Sequence, residues 1–429
     1  MGPGVPDGYL PRIVDSELDV LCAELPAVAL EGPRAVGKTE TALRRATTVH
    51  RLDDIAEFDI ARADPSRLAK GHPLVLIDEW QRLPESWDVV RRAVDADPRT
   101  PRFLLTGSAA PAQAPTHSGA GRIVTVRMRP LSLAERGLCP PTVRLGSLLA
   151  GGGAAVEGAS SLRLEDYAEQ ITGSGFPALV GSSQRAARAF LDGYLDRIAE
   201  RHVHEQGRTL RNRAALRRWM AAYAAATSTT AAFEKIRDAA SPGEADKPTK
   251  ATTIAYRAAL EGLWAIEELP AWLPSRNHLR RLAAAPVHQL ADPALAARLL
   301  ETDADALLEG RDSGRRIPRD ASLLGALFQS LVTLSVRVYA QANEAKVFHL
   351  RTQGGEHEID LIVQGAGGRV VALEVKLTQT ASHSDTRHLR WLAERIGPTL
   401  ADAAVITTGP EAYRRPDGIA VIPAALLTA

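Results

Sequence analysis

The chain has 429 residues, 45% hydrophobic and 24% charged, enough for two to four globular domains at about 150 residues each. Its 52 basic and 51 acidic residues leave a formal net charge of +1, which excludes a wholly basic nucleic-acid-binding protein and leaves room only for local basic patches. Two cysteines, Cys22 and Cys139, far apart and without C-x-x-C spacing, speak against a disulfide framework or a zinc site.

Residues 1–10 have neither the basic flank nor the apolar core of a signal segment. No apolar run approaches the roughly 20 residues that cross a bilayer, so a cytoplasmic protein without membrane contact is expected. Residues 13–25 have helical apolar spacing, and residues 26–30 are a short apolar run that reads as a buried strand. That strand leads into Gly32, Pro33, Arg34, Ala35, Val36, Gly37, Lys38 and Thr39, which fit G-x-x-x-x-G-K-[ST], a phosphate-binding loop. The glycines let the backbone curl so that N–H groups face phosphate oxygens. Lys38 neutralises the β- and γ-phosphates of ATP, and the Thr39 hydroxyl ligates Mg²⁺. A helix over 39–46 would aim its positive end at the nucleotide.

A second strand is expected at 48–53 and a helical segment at 54–69. Residues 73–79 form an apolar run ending in Asp78 and Glu79, as a central parallel strand does when it delivers groups to the carboxyl edge of a sheet. Asp78 is expected to hold Mg²⁺ through water and Glu79 to polarise the attacking water. Residues 85–94 read as helix and 102–108 as a strand ending in the hydroxyls Thr106 and Ser108. One of Arg122, Arg127 and Arg129 is a candidate phosphate contact, within the chain or from a neighbouring subunit, although any single one of them reads first as a solvated or salt-bridged surface arginine.

The order of phosphate loop, Leu76 to Trp80, Leu104 to Ser108, Gly121 to Ile123 and Pro130 to Glu135 resembles the AAA-type ATPase domain of bacterial and archaeal proteins with a C-terminal DUF4143 region. Gly175-Phe176-Pro177 and the helical stretch 194–201 resemble that family's linker. The resemblance implies a γ-phosphate sensor, for which Thr106 or Ser108 is the candidate, and an α/β fold for the first unit.

Residues 140–160, with Gly151-Gly152-Gly153, read as a flexible loop. The arginine-rich stretch 201–218 suits either a phosphate backbone or a solvated helix face. Helical patterns at 214–226, 230–240 and 250–263, followed by a strand-like run at 264–269, outline a winged helix. In it Lys250, Thr252, Thr253, Tyr256 and Arg257 lie on the groove helix, for DNA or for protein docking.

In the last hundred residues, 356–363 and 369–377 alternate as two strands around a glycine turn. Glu374 and Lys376 are two apart and share a face, and a hairpin centred on Gly367 sets Asp360 opposite Glu374. Two carboxylates and an ammonium then converge, as metal-dependent phosphodiester cleavage requires: Asp360 and Glu374 for Mg²⁺ or Mn²⁺, Lys376 for the attacking water. The spacing resembles the PD-(D/E)xK nuclease superfamily, with Gln329 where active members commonly carry an acid.

The expected architecture is therefore α/β: a P-loop AAA-type ATPase core at 1–140, a linker and helical lid at 141–207, a winged-helix-like domain at 208–300, and a restriction-endonuclease-like domain at 301–429. The expected function is an ATPase coupled to a structure-dependent nuclease for repair or recombination intermediates, with DNA as partner and a possible homo-oligomer. The competing expectation is a nucleotide-driven switch whose C-terminal unit only binds nucleic acid or protein.

Overall fold

The structure is a computed structural model describing residues 8–100, 102–109, 118–202, 213–241, 247–273, 284–309 and 322–429. Five parallel strands form the N-terminal sheet: β1 (Ala27–Glu31), β2 (Thr48–Arg51), β3 (Val75–Asp78), β4 (Phe103–Gly107) and β5 (Val124–Arg127), in the order β2-β3-β4-β1-β5. Successive side chains of a strand point to opposite faces, so β1 feeds two cores. Val28 and Leu30 join Leu18 of the helix Val14–Glu24 and Ala42 of the helix Lys38–Leu43, whereas Ala27 and Ala29 join Val90 and Val94 of the helix Glu85–Ala96. Because β4 lies between β1 and β3, the C-terminal ends of these three strands bring the phosphate loop, Thr106 and Asp78 to one edge. This mixed α/β layout with a parallel sheet is that of a P-loop AAA domain.

Residues 140–160 are not a loose loop. They contain β6 (Val143–Arg144), the helix Leu145–Ala150 and β7 (Gly158–Ala159). Each strand is only two residues long and pairs far along the chain, β6 with β14 (Leu427–Thr428) and β7 with β12 (Glu411–Arg414). The glycines serve turns, and the order comes from tertiary pairing rather than local propensity.

The middle of the chain is helical, with Arg213–Ala225, Phe233–Ala239 and Lys250–Gly262 among its helices. The strand-like run after them is reduced to isolated antiparallel bridges, Ile266 to Leu290 and Leu269 to Val287. Residues 203–212, 242–246 and 274–283, which hold Arg208, Arg211, Arg276, Arg280 and Arg281, lie outside the described residues.

A second sheet of seven strands has the order β7-β12-β13-β11-β10-β9-β8, with β8 (Lys346–Arg351), β9 (Glu358–Gln364), β10 (Val370–Val375), β11 (Leu400–Thr407) and β13 (Ala420–Pro423). β8, β9 and β10 are antiparallel, and β10 runs parallel to β11 after the helix Arg387–Ile396. The helix Leu323–Gln341 covers the opposite face. By length and composition it could cross a membrane, which the sequence reading overlooked, but 78% of its apolar window is buried inside the protein. Its Leu327, Leu331 and Val336 belong to one continuous core that runs from β1 to β10 and β11.

Candidate functional site

β1 ends in a tight approach: a Cβ on Gly32 would lie 2.0 Å from the Met128 carbonyl oxygen, so glycine is required there. Gly37 (φ 97°) and Ala35 (φ 64°) take left-handed conformations that curl the loop. Among the described residues the amides of Ala35, Val36 and Gly37 find no acceptor, which suits them to phosphate oxygens. Lys38 is 5% exposed, and its ammonium donates to the carbonyls of Gly32 (2.9 Å) and Pro33 (2.7 Å). Burial pushes its pKa down to about 8, with Arg127 and Arg34 adding to the effect and Glu79 and Asp78 opposing it.

Across the loop, the Thr39 hydroxyl donates to Asp78 Oδ1 at 2.8 Å, and Thr106 Oγ1 donates to the same oxygen. A hydroxyl and a carboxylate converging in this way are hard oxygen donors of the kind Mg²⁺ takes. Glu79 sits in a left-handed conformation (φ 56°) with its amide donating to Thr106 Oγ1 at 3.2 Å. Its carboxylate accepts from Ser108 Oγ at 2.9 Å and from the Gln81 amide, which also reaches Ser108 at 3.2 Å. Both sensor candidates are thus in the site, Thr106 on Asp78 and Ser108 on Glu79. Gln81 was missed by the sequence reading, although it stands two residues from Glu79.

Arg122 is not brought to the loop. It precedes β5 at the opposite edge of the sheet and pairs with Asp95 at 2.8 Å. Arg127 leaves β5 on the loop side, with burial lowering its pKa to about 10 and its guanidinium 3.7 Å from the centroid of the Trp264 ring. Arg129 makes a two-pronged pair with Glu267, at 2.6 and 3.0 Å. Arg337 also donates to the Glu267 carbonyl at 2.8 Å, and these cations hold the Glu267 carboxyl well below the usual carboxylate range against its burial.

Of the groove-helix residues, Thr253 and Tyr256 are buried and Arg257 pairs with Glu261 (2.8 Å) and Glu268 (2.7 Å). Arg213 and Arg217 pair with Glu200 and Asp196. These residues serve packing and ion pairs within the chain.

In the second sheet, β9 and β10 pair with Leu361 opposite Leu373, which brings Asp360 beside Glu374. Asp360 accepts from the Val375 amide (2.8 Å) and from the Gln329 side-chain amide (2.9 Å). Glu374 is 3% exposed; burial first, then the neighbouring Asp360, raise its carboxyl well above the usual range, and Lys376, 4.0 Å away, opposes this. Two carboxylates fit Mg²⁺ in sites where substrate phosphate completes the shell, although among the described residues no group of three His, Cys, Asp or Glu gathers for a metal. Beside them His357 stacks on Trp391, with centroids 4.0 Å apart, and its Nδ1 lies 3.3 Å from His388 Nδ1. Burial lowers the His388 pKa, and its surroundings include Lys376 and Asp360. No local spacing marks this pair in the sequence, because the two histidines lie 31 residues apart.

Comparisons with known proteins match three stretches of the chain. The AAA domain profile matches residues 24–136, a domain of unknown function (DUF8612) matches 164–306, and another (DUF4143) matches 324–427. The chain is 26% identical over 407 residues to the uncharacterized protein Rv2008c of Mycobacterium tuberculosis and to the uncharacterized protein Mb2031c of Mycobacterium bovis, covering 93% of this chain and 80% of each relative. With the geometry of the phosphate loop, the matches support an AAA-type ATPase with a DUF4143 C-terminus.

Proposed function

We propose that this chain is a Mg²⁺-dependent ATPase that acts on DNA, its C-terminal carboxylate site cutting phosphodiester bonds in structured substrates such as branched junctions. The loop amides and Lys38 bind the phosphates of ATP, and Thr39 and Asp78 hold the ion, which when bound neutralises phosphate charge. Glu79, oriented by Ser108 and Gln81, polarises the attacking water. At the second site Asp360 and Glu374 would hold the ion and Lys376 would orient water at the phosphodiester. The observation that carries the DNA reading is the convergence of Asp360, Glu374 and Lys376 beside a helix that also packs on the ATPase unit.

The competing reading is a nucleotide-driven switch in which the C-terminal site binds without cutting. It is favoured by the Gln329 hydrogen bond to Asp360 and by the buried groove-helix residues Thr253 and Tyr256.

The test is cleavage of labelled single-stranded, duplex and four-way-junction DNA with Mg²⁺ or Mn²⁺, with and without ATP, beside Asp360→Ala and Lys376→Ala. Structure-dependent cutting that both substitutions abolish is expected. DNA-stimulated ATP turnover without any cutting would give the field to the switch. In the same preparations Lys38→Ala should lower ATP turnover by roughly 100-fold, the scale of one lost charge-stabilising donor.

A further inference from the structure

We infer that Arg12 and Glu135 are the positioning pair of the phosphate loop, setting the direction of its Gly37 amide; this rests on the nucleotide-binding reading above. Arg12 Nη1 donates to the Val36 carbonyl at 2.7 Å. A trans peptide is planar, with its C=O and N–H pointing opposite ways. Fixing the Val36 oxygen on the guanidinium therefore turns the Gly37 N–H away from Arg12. The neighbouring Ala35 holds a left-handed φ of 64°, a conformation that a non-glycine residue keeps only when its surroundings enforce it.

The rest of the guanidinium is equally committed. Nη2 donates to the Arg129 carbonyl at 2.7 Å and Nε to Glu135 Oε1 at 3.1 Å. The two side chains are 3% and 2% exposed. Glu135 is filled in turn: Oε1 also accepts from the Ile13 amide (2.8 Å), and Oε2 accepts from the Ser132 amide and hydroxyl, both at 2.8 Å. Arg12 thus bridges three acceptors from three segments: the loop, the stretch after β5, and the turn carrying Glu135. A lysine, a point charge without the planar fork, cannot span them.

That turn is seated on the helix Leu323–Gln341. The Leu133 amide donates to Ser335 Oγ at 3.1 Å and the Ala134 amide to Tyr339 Oη at 3.0 Å. The pair therefore references the loop amides to a rigid element of the core rather than to the loop itself. This gives the Pro130 to Glu135 stretch a role: it supplies the acid that holds Arg12 in place.

The experiment is a titration of the full chain with fluorescent MgADP, together with steady-state ATPase kinetics, for wild type, Arg12→Lys, Arg12→Gln and Glu135→Gln, each with its melting temperature. Misoriented amides weaken phosphate binding in ground and transition states alike, so a rise of at least tenfold in Kd and KM with kcat within about threefold is expected for both Arg12 substitutions. Arg12→Lys keeps bulk and charge, so it decides the matter if Arg12→Gln melts early. Wild-type affinity and KM in Arg12→Lys, with only the melting temperature lowered, overturns the inference. Failure of wild type itself to bind MgADP would instead remove the nucleotide-binding reading on which it rests.

Discussion

Lys38 carries its charge into a nearly dry site, and its pKa near 8 sets a testable sign. An ordinary lysine titrates near 10.4. Between about 8 and that value the unfolded chain binds more protons than the folded one, so this group's contribution to stability rises with pH across the window. Phosphate in the loop favours the ammonium and reverses the shift. Nucleotide binding should therefore take up a proton above pH 8, and MgADP affinity should fall by up to about tenfold per pH unit between 8.5 and 10. Calorimetry in buffers of different ionisation heat reads the uptake directly, and Lys38→Arg should flatten the profile; an unchanged slope in that variant would assign the titration elsewhere. The residues of this site divide sharply in how readable they were. Gly32 to Thr39, Asp78 and Glu79 sit in contiguous motifs at a strand end, whereas Arg12 and Glu135 are 123 residues apart and leave no periodic signal.

At the scale of elements, the helix Leu323–Gln341 shows what periodicity could and could not supply. Its length and apolar character stand in the sequence, although the reading passed over them. Its polar contacts do not, since Ser335, Tyr339 and Gln329 meet partners 202, 205 and 31 residues away. The hairpin of β9 and β10 was readable because two apolar runs flank a local glycine-rich turn, whereas β6 and β7, two residues each, are too short to carry a pattern. Gln329 lies on that helix where its amide holds one oxygen of Asp360. Gln329→Glu would place a third carboxyl beside Asp360 and the buried Glu374. Without a cation the added charge is repulsive, so at pH 8 the variant should melt below wild type. Millimolar Mn²⁺ should restore its melting temperature, and Asp360→Ala in the same background should remove that response. A variant indifferent to Mn²⁺ would mean that these carboxyls do not form an ion site.

At the scale of the whole molecule, the sequence suggests separate units, whereas the structure joins them through one core and one charge cluster. Arg127 and Arg129 from the end of β5 and Arg337 from the long helix surround Glu267, which stands beside the bridge that pairs Ile266 with Leu290. Gln341 adds a second tie, donating to Glu17 at 2.8 Å and to the Arg127 carbonyl at 2.9 Å. Such a node is invisible to composition, because each arginine alone reads as a surface charge. Removing the anion at its centre leaves three cations without the carboxylate they converge on, one of them, Arg337, with only 8% of its side chain exposed. Glu267→Gln should therefore cost about 3 kcal/mol at pH 7, the low end for a broken buried pair, because a quarter of the Glu267 side chain reaches solvent. The sign with pH follows from the depressed carboxyl: its contribution is fully present above the unfolded value near 4.3 and is lost as pH falls through the folded one. Urea midpoints of wild type and variant should accordingly lie well apart at pH 7 and draw together below pH 4. A gap that stays constant over that range would mean that Glu267 acts by packing rather than by charge, and that the ATPase sheet and the long helix are held together by the apolar core alone.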